Sequence, residues 1–266
     1  MKTAINSSTW VAHAEYLKTP FRADRFFSEA ALAGYAGVEV GGGEVFLGKP
    51  AACLKLAQTH DLEICAYATS LTYNPWKPNT EQFQADVRYA AALGVQTLMV
   101  CGGFIPAPRR NTYPFDYDMF ADNLGRGMSF AKRLGCAIAF HPHRGCIVET
   151  LREAQELVKR LPDLQFCVDT AHLYAAGDDA LRFCKVLGKK ISATHLKDYS
   201  WKQNRFTELG QGDGKLDVAA CVAALGQRGY NGWLTVELDK TFTPKDRAPL
   251  ASAKLSRKFL KAKCDV

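Results

Sequence analysis

Residues 164–198 read LQFCVDTAHLYAAGDDALRFCKVLGKKISATHLKD. Two short β-type runs, LQFCVD and ISATH, flank a stretch of helical character, and each run ends in a residue able to ligate a metal, Asp169 and His195. Parallel strands joined through a helix bring their carboxyl ends to one sheet edge, so side chains distant in sequence meet there. The pattern continues on both sides. AIAFHPH (137–143) ends its run at His141 and WLTVELD (233–239) ends at Glu237. Two imidazoles and two carboxylates suit one divalent ion, and N and O donors without thiolate favour Mn²⁺, Zn²⁺, Co²⁺ or Fe²⁺ over a structural cysteine site.

Strand-like runs recur near residues 3–6, 37–40, 62–67, 96–101, 136–140, 165–169, 191–195 and 233–237. Between them lie helical patterns such as TEQFQADVRYAAALG (80–94) and DVAACVAALGQRG (217–229), several closed by a glycine where helix ends prefer one. Eight β-then-α units predict a single (β/α)₈ barrel over residues 1–266. An open doubly wound sheet is the alternative, but INSSTW (5–10) follows the first run where a G-x-G-x-x-G phosphate loop would be needed, and GGGEVFLGK (41–49) lacks that spacing.

Composition narrows the function classes. No uncharged apolar run approaches the roughly 18 residues of a membrane span, and the N-terminal MKTAINSSTWVAHAEY lacks a signal-peptide core, which predicts a cytoplasmic protein. Nine cysteines with no CxxC pair read as reduced, mostly buried small hydrophobes. The net charge is +7, but from Thr241 onward seven basic residues face only Asp246 and Asp265. Lys254, Arg257, Lys258 and Lys261 there have helical spacing, the mark of a solvated helix face rather than a nucleic-acid surface.

Seven segments in order, SEAALAGYAGVEVG (28–41), FHPHRGCIVET (140–150), VDTAHLYAAGD (168–178), THLKD (194–198), ELGQGDGKLD (208–217), GYNGWLTVELD (229–239) and SRKFL (256–260), resemble the xylose-isomerase-like barrels. That family holds sugar isomerases, ketose epimerases, inosose dehydratases and abasic-site endonucleases. The resemblance implies that Asp169, His195 and Glu237 are metal ligands. It departs at the fifth strand, where most members carry Glu and this chain has His141-Pro142-His143. HPHRGCIVET is similar to the inosose dehydratase form.

The departure bears on mechanism. Epimerases of the family use two metal-touching glutamates to take and return a proton on opposite faces, and here Glu237 alone remains unless Glu39 or His143 supplies a second base. The implied enzyme abstracts a proton beside the carbonyl of a small keto-sugar or keto-inositol, with a Lewis-acid metal stabilising the enediolate. Reprotonation makes it an isomerase or epimerase, the main expectation. Protonation of a departing hydroxyl makes it an inosose dehydratase-type lyase, the alternative. The expected cofactor is a divalent metal, Mn²⁺ first, with Co²⁺, Zn²⁺, Fe²⁺ or Mg²⁺ as options.

Glu237 is the candidate base, and the resemblance assigns acid/base or substrate roles to His172 and a charge-offsetting role to Lys197. Each has a plainer reading: Asp169 as a helix cap, His172 bonded to backbone, Lys197 paired with Asp198. Glu39, His143, Arg144, Trp10 and Trp201 are candidate substrate contacts, with Trp76 and His13 as further loop rings and Asp239 as a partner orienting a ligand histidine. The endonuclease branch needs extra histidines after the third and fourth strands and an Asp-Arg-His triplet. This chain offers AYATS (66–70), VCGGF (100–104) and Asn204-Arg205-Phe206 instead. A homodimer or higher oligomer acting on a small polyhydroxylated carbonyl compound completes the expectation.

Overall fold

Period-two alternation of apolar side chains along the predicted runs sets the architecture, because each strand needs one face toward a barrel axis and one toward a helix. The computed structural model describes residues 1–72, 79–105 and 112–266. Its strands are β1 (Lys2–Asn6), β2 (Gly37–Gly41), β3 (Glu63–Leu71), β4 (Thr97–Gly102), β5 (Ala137–Phe140), β6 (Gln165–Asp169), β7 (Ile191–Leu196), β8 (Asp198–Ser200), β9 (Arg205–Thr207) and β10 (Trp233–Val236). All but β8 and β9 form a closed barrel in the order β1-β10-β7-β6-β5-β4-β3-β2, every pair parallel. The expected eight-stranded barrel is therefore present.

Helices α1 (Ser8–Leu17), α2 (Ala23–Leu32), α3 (Gly43–Leu47), α4 (Pro50–Thr59), α5 (Thr80–Ala92), α6 (Pro114–Arg133), α7 (Leu151–Arg160), α8 (Thr170–Ala175), α9 (Ala180–Leu187), α10 (Val218–Gln227) and α11 (Pro249–Lys263) follow in chain order. Their ends use ordinary chemistry: Thr150 and Glu153 form a capping box on α7, and Asp179 and Asp217 cap α9 and α10. On α11 Lys254, Lys258 and Lys261 are exposed, while Ser252, Ala253, Ser256 and Leu260 are buried. No helix among the described residues is long and apolar enough to cross a membrane.

The two faces of the sheet differ in size as well as polarity. Toward the helices stand bulky residues, with Phe120, Phe140, Phe166 and Phe183 in edge-to-face contact at centroid separations of 5.5, 6.3 and 5.9 Å. Such pairs add roughly 0.5–1.5 kcal/mol each beyond burial. Toward the axis, Met99, Ala139, Cys167 and Ala193 pack with Ala68 in a separate small cluster. Two positions further along the same strands, on the same face, come Cys101, His141, Asp169 and His195. Small residues form the layer beneath, and the polar residues form the rim.

Two features were not expected from sequence. β3 continues to Leu71, past the predicted end near residue 67, and β8 pairs with β9 as an antiparallel hairpin beyond β7. That hairpin is anchored from below: the backbone N–H groups of Gly210 and Gly212 both donate to Asp198 Oδ2 at 3.2 Å. All nine cysteines are free thiols, six of them buried.

Gly102 ends β4 where backbone meets backbone. A Cβ there would lie 1.9 Å from the Leu71 carbonyl oxygen and 3.1 Å from its nitrogen, atoms fixed by the β3–β4 ladder. Gly102→Ala should therefore destabilise the fold by ~1–3 kcal/mol, as overpacking does. A urea midpoint equal to that of the parent chain would contradict this placement.

Candidate metal and catalytic site

The carboxyl ends of the barrel strands converge on a buried polar cluster. His141, Asp169, His172, His195 and Lys197 are each at most 2% exposed, and Glu237 is 8% exposed. His141 is fixed by its backbone N–H, which donates to the Val100 carbonyl at 2.8 Å and so extends β5 along β4. Asp169 pairs in register with His195 across β6 and β7, and His195 with Thr235 across β7 and β10. Strand register thus sets Asp169, His195 and Thr235 side by side, and Glu237 follows two residues beyond Thr235.

Asp169 divides its two oxygens between tasks. Oδ1 accepts from the N–H groups of Ala171 and His172 at 2.9 and 2.8 Å, capping α8, while Oδ2 faces the site, 3.1 Å from His141 Nε2. The capping and ligand readings of this residue are therefore compatible. His195 Nδ1 lies 3.0 Å from Glu237 Oε2 and 3.9 Å from Asp169 Oδ2, without hydrogen-bond geometry to either, and Nε2 meets Glu39 Oε1 at 2.8 Å. Glu39 is itself held by Asn6 Nδ2 at 2.5 Å. Asn6, absent from the sequence reading, is adjacent to Glu39 in the β1–β2 register, and that pairing is its only signal.

Lys197 sits at the electrostatic centre. Its ammonium bonds Glu237 and lies 2.7 Å from Asp169 Oδ2 and 2.8 Å from Asp239 Oδ1. Burial pulls its pKa down, but Asp169, Asp239 and Glu237 more than offset this and hold it well above the ordinary lysine value. The same logic acts on the partners. Burial alone would raise Glu237, yet His195 and Lys197 bring it down to about 2. Burial opposes charge on His195, whereas Glu237 and Glu39 raise it well above the usual histidine range. His141, for which burial dominates, is lowered to about 3 and stays neutral.

The expected donors therefore stand together, with one difference in detail. The four donor atoms mutually within 4.8 Å belong to His141, Asp169, His172 and Glu237, and His195 lies beside them. His172 has both ring nitrogens engaged: the Arg144 N–H donates to Nδ1 at 3.2 Å, and Nε2 faces Asp239 Oδ2 at 3.3 Å. In contrast, among the described residues His141 Nδ1 is buried with no partner, and His195 Nδ1 is buried beside Glu237 Oε2 at 3.0 Å without hydrogen-bond geometry. Orphaned buried nitrogens are costly unless something binds them. The charges agree: carboxylates of Glu39, Asp169, Glu237 and Asp239 outnumber the cations Lys197 and protonated His195 by two. The donor set fits one divalent cation held by His141, Asp169, His195 and Glu237.

The remaining candidates separate. His143, 23% exposed at its side chain, packs on His172 with centroids 3.8 Å apart; its Nδ1 meets the Arg144 carbonyl at 2.7 Å, leaving Nε2 open toward Asp239 at 3.8 Å. Phe206 from the β8–β9 hairpin closes over His172 at 4.5 Å and lies 5.0 Å from the Lys197 ammonium. Sequence offered Phe206 only as the residue replacing a nuclease histidine. Trp201 stands in the hairpin turn, edge-on to Tyr174 and Tyr199 and 46% exposed. Trp10 corrects the expectation of a loop ring: it lies in α1, buried, with its indole N–H donating to Glu29 at 2.6 Å and its ring against Phe26. His13, also in α1, packs on Phe242. Trp76 lies outside the described residues, as does most of TSLTYNPWKPN (69–79).

Glu237 and Glu39 favour the protonated form of His195, so a cation held there competes with a proton. Binding should release about one proton per ion near neutral pH and weaken as pH falls. Calorimetry in two buffers of different ionisation enthalpy reads this directly; equal heats would remove the proton from the account. Glu39→Gln, which loosens the partner of His195 Nε2, should weaken metal affinity ~10–100-fold.

Residues 27–263 match the family model described as xylose isomerase-like TIM barrel. An inosose dehydratase of Mesomycoplasma hyopneumoniae (strain 7448) is 27% identical over 90% of this chain and 88% of its own length, and one of Clostridium perfringens (strain 13 / Type A) is 26% identical over 91% and 90%. Among solved structures, the IOLI protein with a zinc atom superposes with a TM-score of 0.78 at 21% identity, covering 100% of this chain and 98% of that one. The chain belongs to the xylose isomerase-like TIM barrel family.

Proposed function

We propose that the chain is a divalent-metal-dependent carbon–oxygen lyase that dehydrates a small polyhydroxylated cyclic ketone of the inosose kind, with Mn²⁺ the first metal to test. The observation that carries this reading is the division of labour among carboxylates at the rim. Among the described residues Glu237 meets Lys197 and His195 through Oε2 alone and leaves Oε1 without a protein partner. Glu39 is buried under Asn6 and His195, Asp169 caps α8, and Asp239 holds Lys197 and His172. Among the described residues Glu39, Asp169 and Asp239 are thus each committed to protein partners, whereas two-base epimerisation requires a second carboxylate free to return a proton from the opposite face. The relatives at 26–27% identity support dehydration.

His141, Asp169, His195 and Glu237 would hold a divalent ion, which when bound would supply Lewis acidity to the substrate. Glu237, held near pKa 2 by burial-opposing His195 and Lys197, is fully ionised and hence in the form that accepts a proton, though a weak base. Lys197, beside Glu237, offsets the negative charge that develops on oxygen. As the C–H electrons form the new double bond, the hydroxyl on the next carbon departs as water with a proton delivered through the His143, His172 and Asp239 group, while the proton taken by Glu237 returns to solvent. His172 and Asp239 hold the His143 ring in place.

The isomerase or epimerase reading shares the first step and differs only in where the second proton goes. It is favoured by one observation: His143 and His172 stand at the mouth beside Asp239, where an imidazole can reach carbon as well as oxygen. Metal-loaded protein incubated with keto-sugars and inososes in D₂O separates the two. Growth of a conjugated enone or dione absorbance is expected. Solvent deuterium in recovered substrate without that absorbance would establish isomerisation instead, and neither signal would end both readings. Glu237→Gln should lower turnover ~10²–10⁴-fold without unfolding the barrel, and chelation should abolish it.

A further inference from the structure

Beside the rim described above, a cavity of about 440 Å³ opens between the β8–β9 hairpin and the segment after β10, lined among others by Arg144, Tyr199, Asn204, Arg205, Asp239 and Lys240. Asp239 joins it to the catalytic cluster through Lys197 and His172. Three of these lining residues are basic and one is acidic, so the lining carries excess positive charge. Two of the bases are neutralised from behind: Arg205 by Asp246 at 2.9 Å, and Lys240 by Glu208 and Asp246 at 3.3 and 3.2 Å.

Among the described residues Arg144 has no such partner. Among the described residues its guanidinium makes a single polar contact, donating from one terminal nitrogen to the Tyr199 hydroxyl at 3.2 Å. Tyr199 is buried and fixed in turn, because its own hydroxyl proton goes to Asn204 Oδ1. The Arg144 backbone is fixed as well: its N–H donates to His172 Nδ1 and its carbonyl accepts from His143 Nδ1. A guanidinium is thus aimed into the cavity by a rigid hydroxyl, one residue from His143, with its other donors unmatched. A planar fork of this kind suits an anionic oxygen group, which it can engage through paired N–H donors.

We propose that this cavity is a subsite for an anionic substituent of the substrate, so that the ketone acted on carries a carboxylate or phosphate in addition to its hydroxyls. The inference rests on the proposed function only for the word substrate. The subsite itself is read by binding alone, in the absence of turnover.

Titration calorimetry of metal-loaded protein with a tetrahydroxycyclohexane carboxylate, its neutral carboxamide and an inositol monophosphate tests it. The carboxylate or the phosphate should bind ~10-fold or more tighter than the carboxamide, the scale of a lost charge-assisted hydrogen bond. Whichever of the two binds tighter names the group. Arg144→Met should erase the difference while leaving metal stoichiometry unchanged, Arg144→Lys should restore part of it, and Tyr199→Phe should reduce it. Equal affinity for neutral and charged ligands, or an Arg144→Met loss shared equally by both, would overturn the subsite. Anion preference without any dehydration would leave the subsite standing and the proposed function in default.

Discussion

The rest of the site depends on one buried ammonium. Lys197 is 1% exposed and shared among Asp169 at the end of β6 and Glu237 and Asp239 in the segment after β10, carboxylates that would otherwise repel one another. Isolated charges in a low-dielectric interior cost several kcal/mol each, so such a group persists only when paired with good geometry. Here the cluster is still short of positive charge after Lys197 and His195 are counted. The protein assembles an anionic cradle whose donors suit a divalent ion.

That cradle also explains why the barrel interior is built from small side chains. Met99, Ala139, Cys167 and Ala193 sit directly beneath the polar rim and leave volume for it, while the phenylalanines that stabilise the sheet lie on the helix side. The division follows from strand periodicity, which gives each strand an inner and an outer set of residues that can be chosen independently. Cys101, in the same row as His141, Asp169 and His195, illustrates the limit. Burial pushes its thiol up to about 12, so it adds bulk rather than a thiolate donor.

The histidine at position 141 reorganises the chemistry around it. A glutamate there would add negative charge beside Asp169; the neutral imidazole, kept uncharged by burial, adds a donor without charge. Beside it His143 and His172 stack on each other, tied together through Asp239, with Phe206 over His172. The hairpin that carries Phe206 and Tyr199 then becomes the roof over both the reacting centre and the adjoining cationic cavity.

The sequence by itself determined the barrel and the identity of the rim residues, because β–α alternation and the residue at each strand end are local properties: His141, Asp169, His195 and Glu237 could be read one strand at a time. It also carried the motif order that marks the family. What the tertiary structure alone decided was the allocation of partners. Nothing in the local sequence says that Glu39 turns to His195 rather than to a ligand, that Asp169 both caps α8 and faces the site, or that Trp10 is buried in α1. Nor does it say that Arg144 points to Tyr199. Each of these depends on which side chains from distant segments compete for the same buried atoms, and that competition exists only once the strands have closed into a ring.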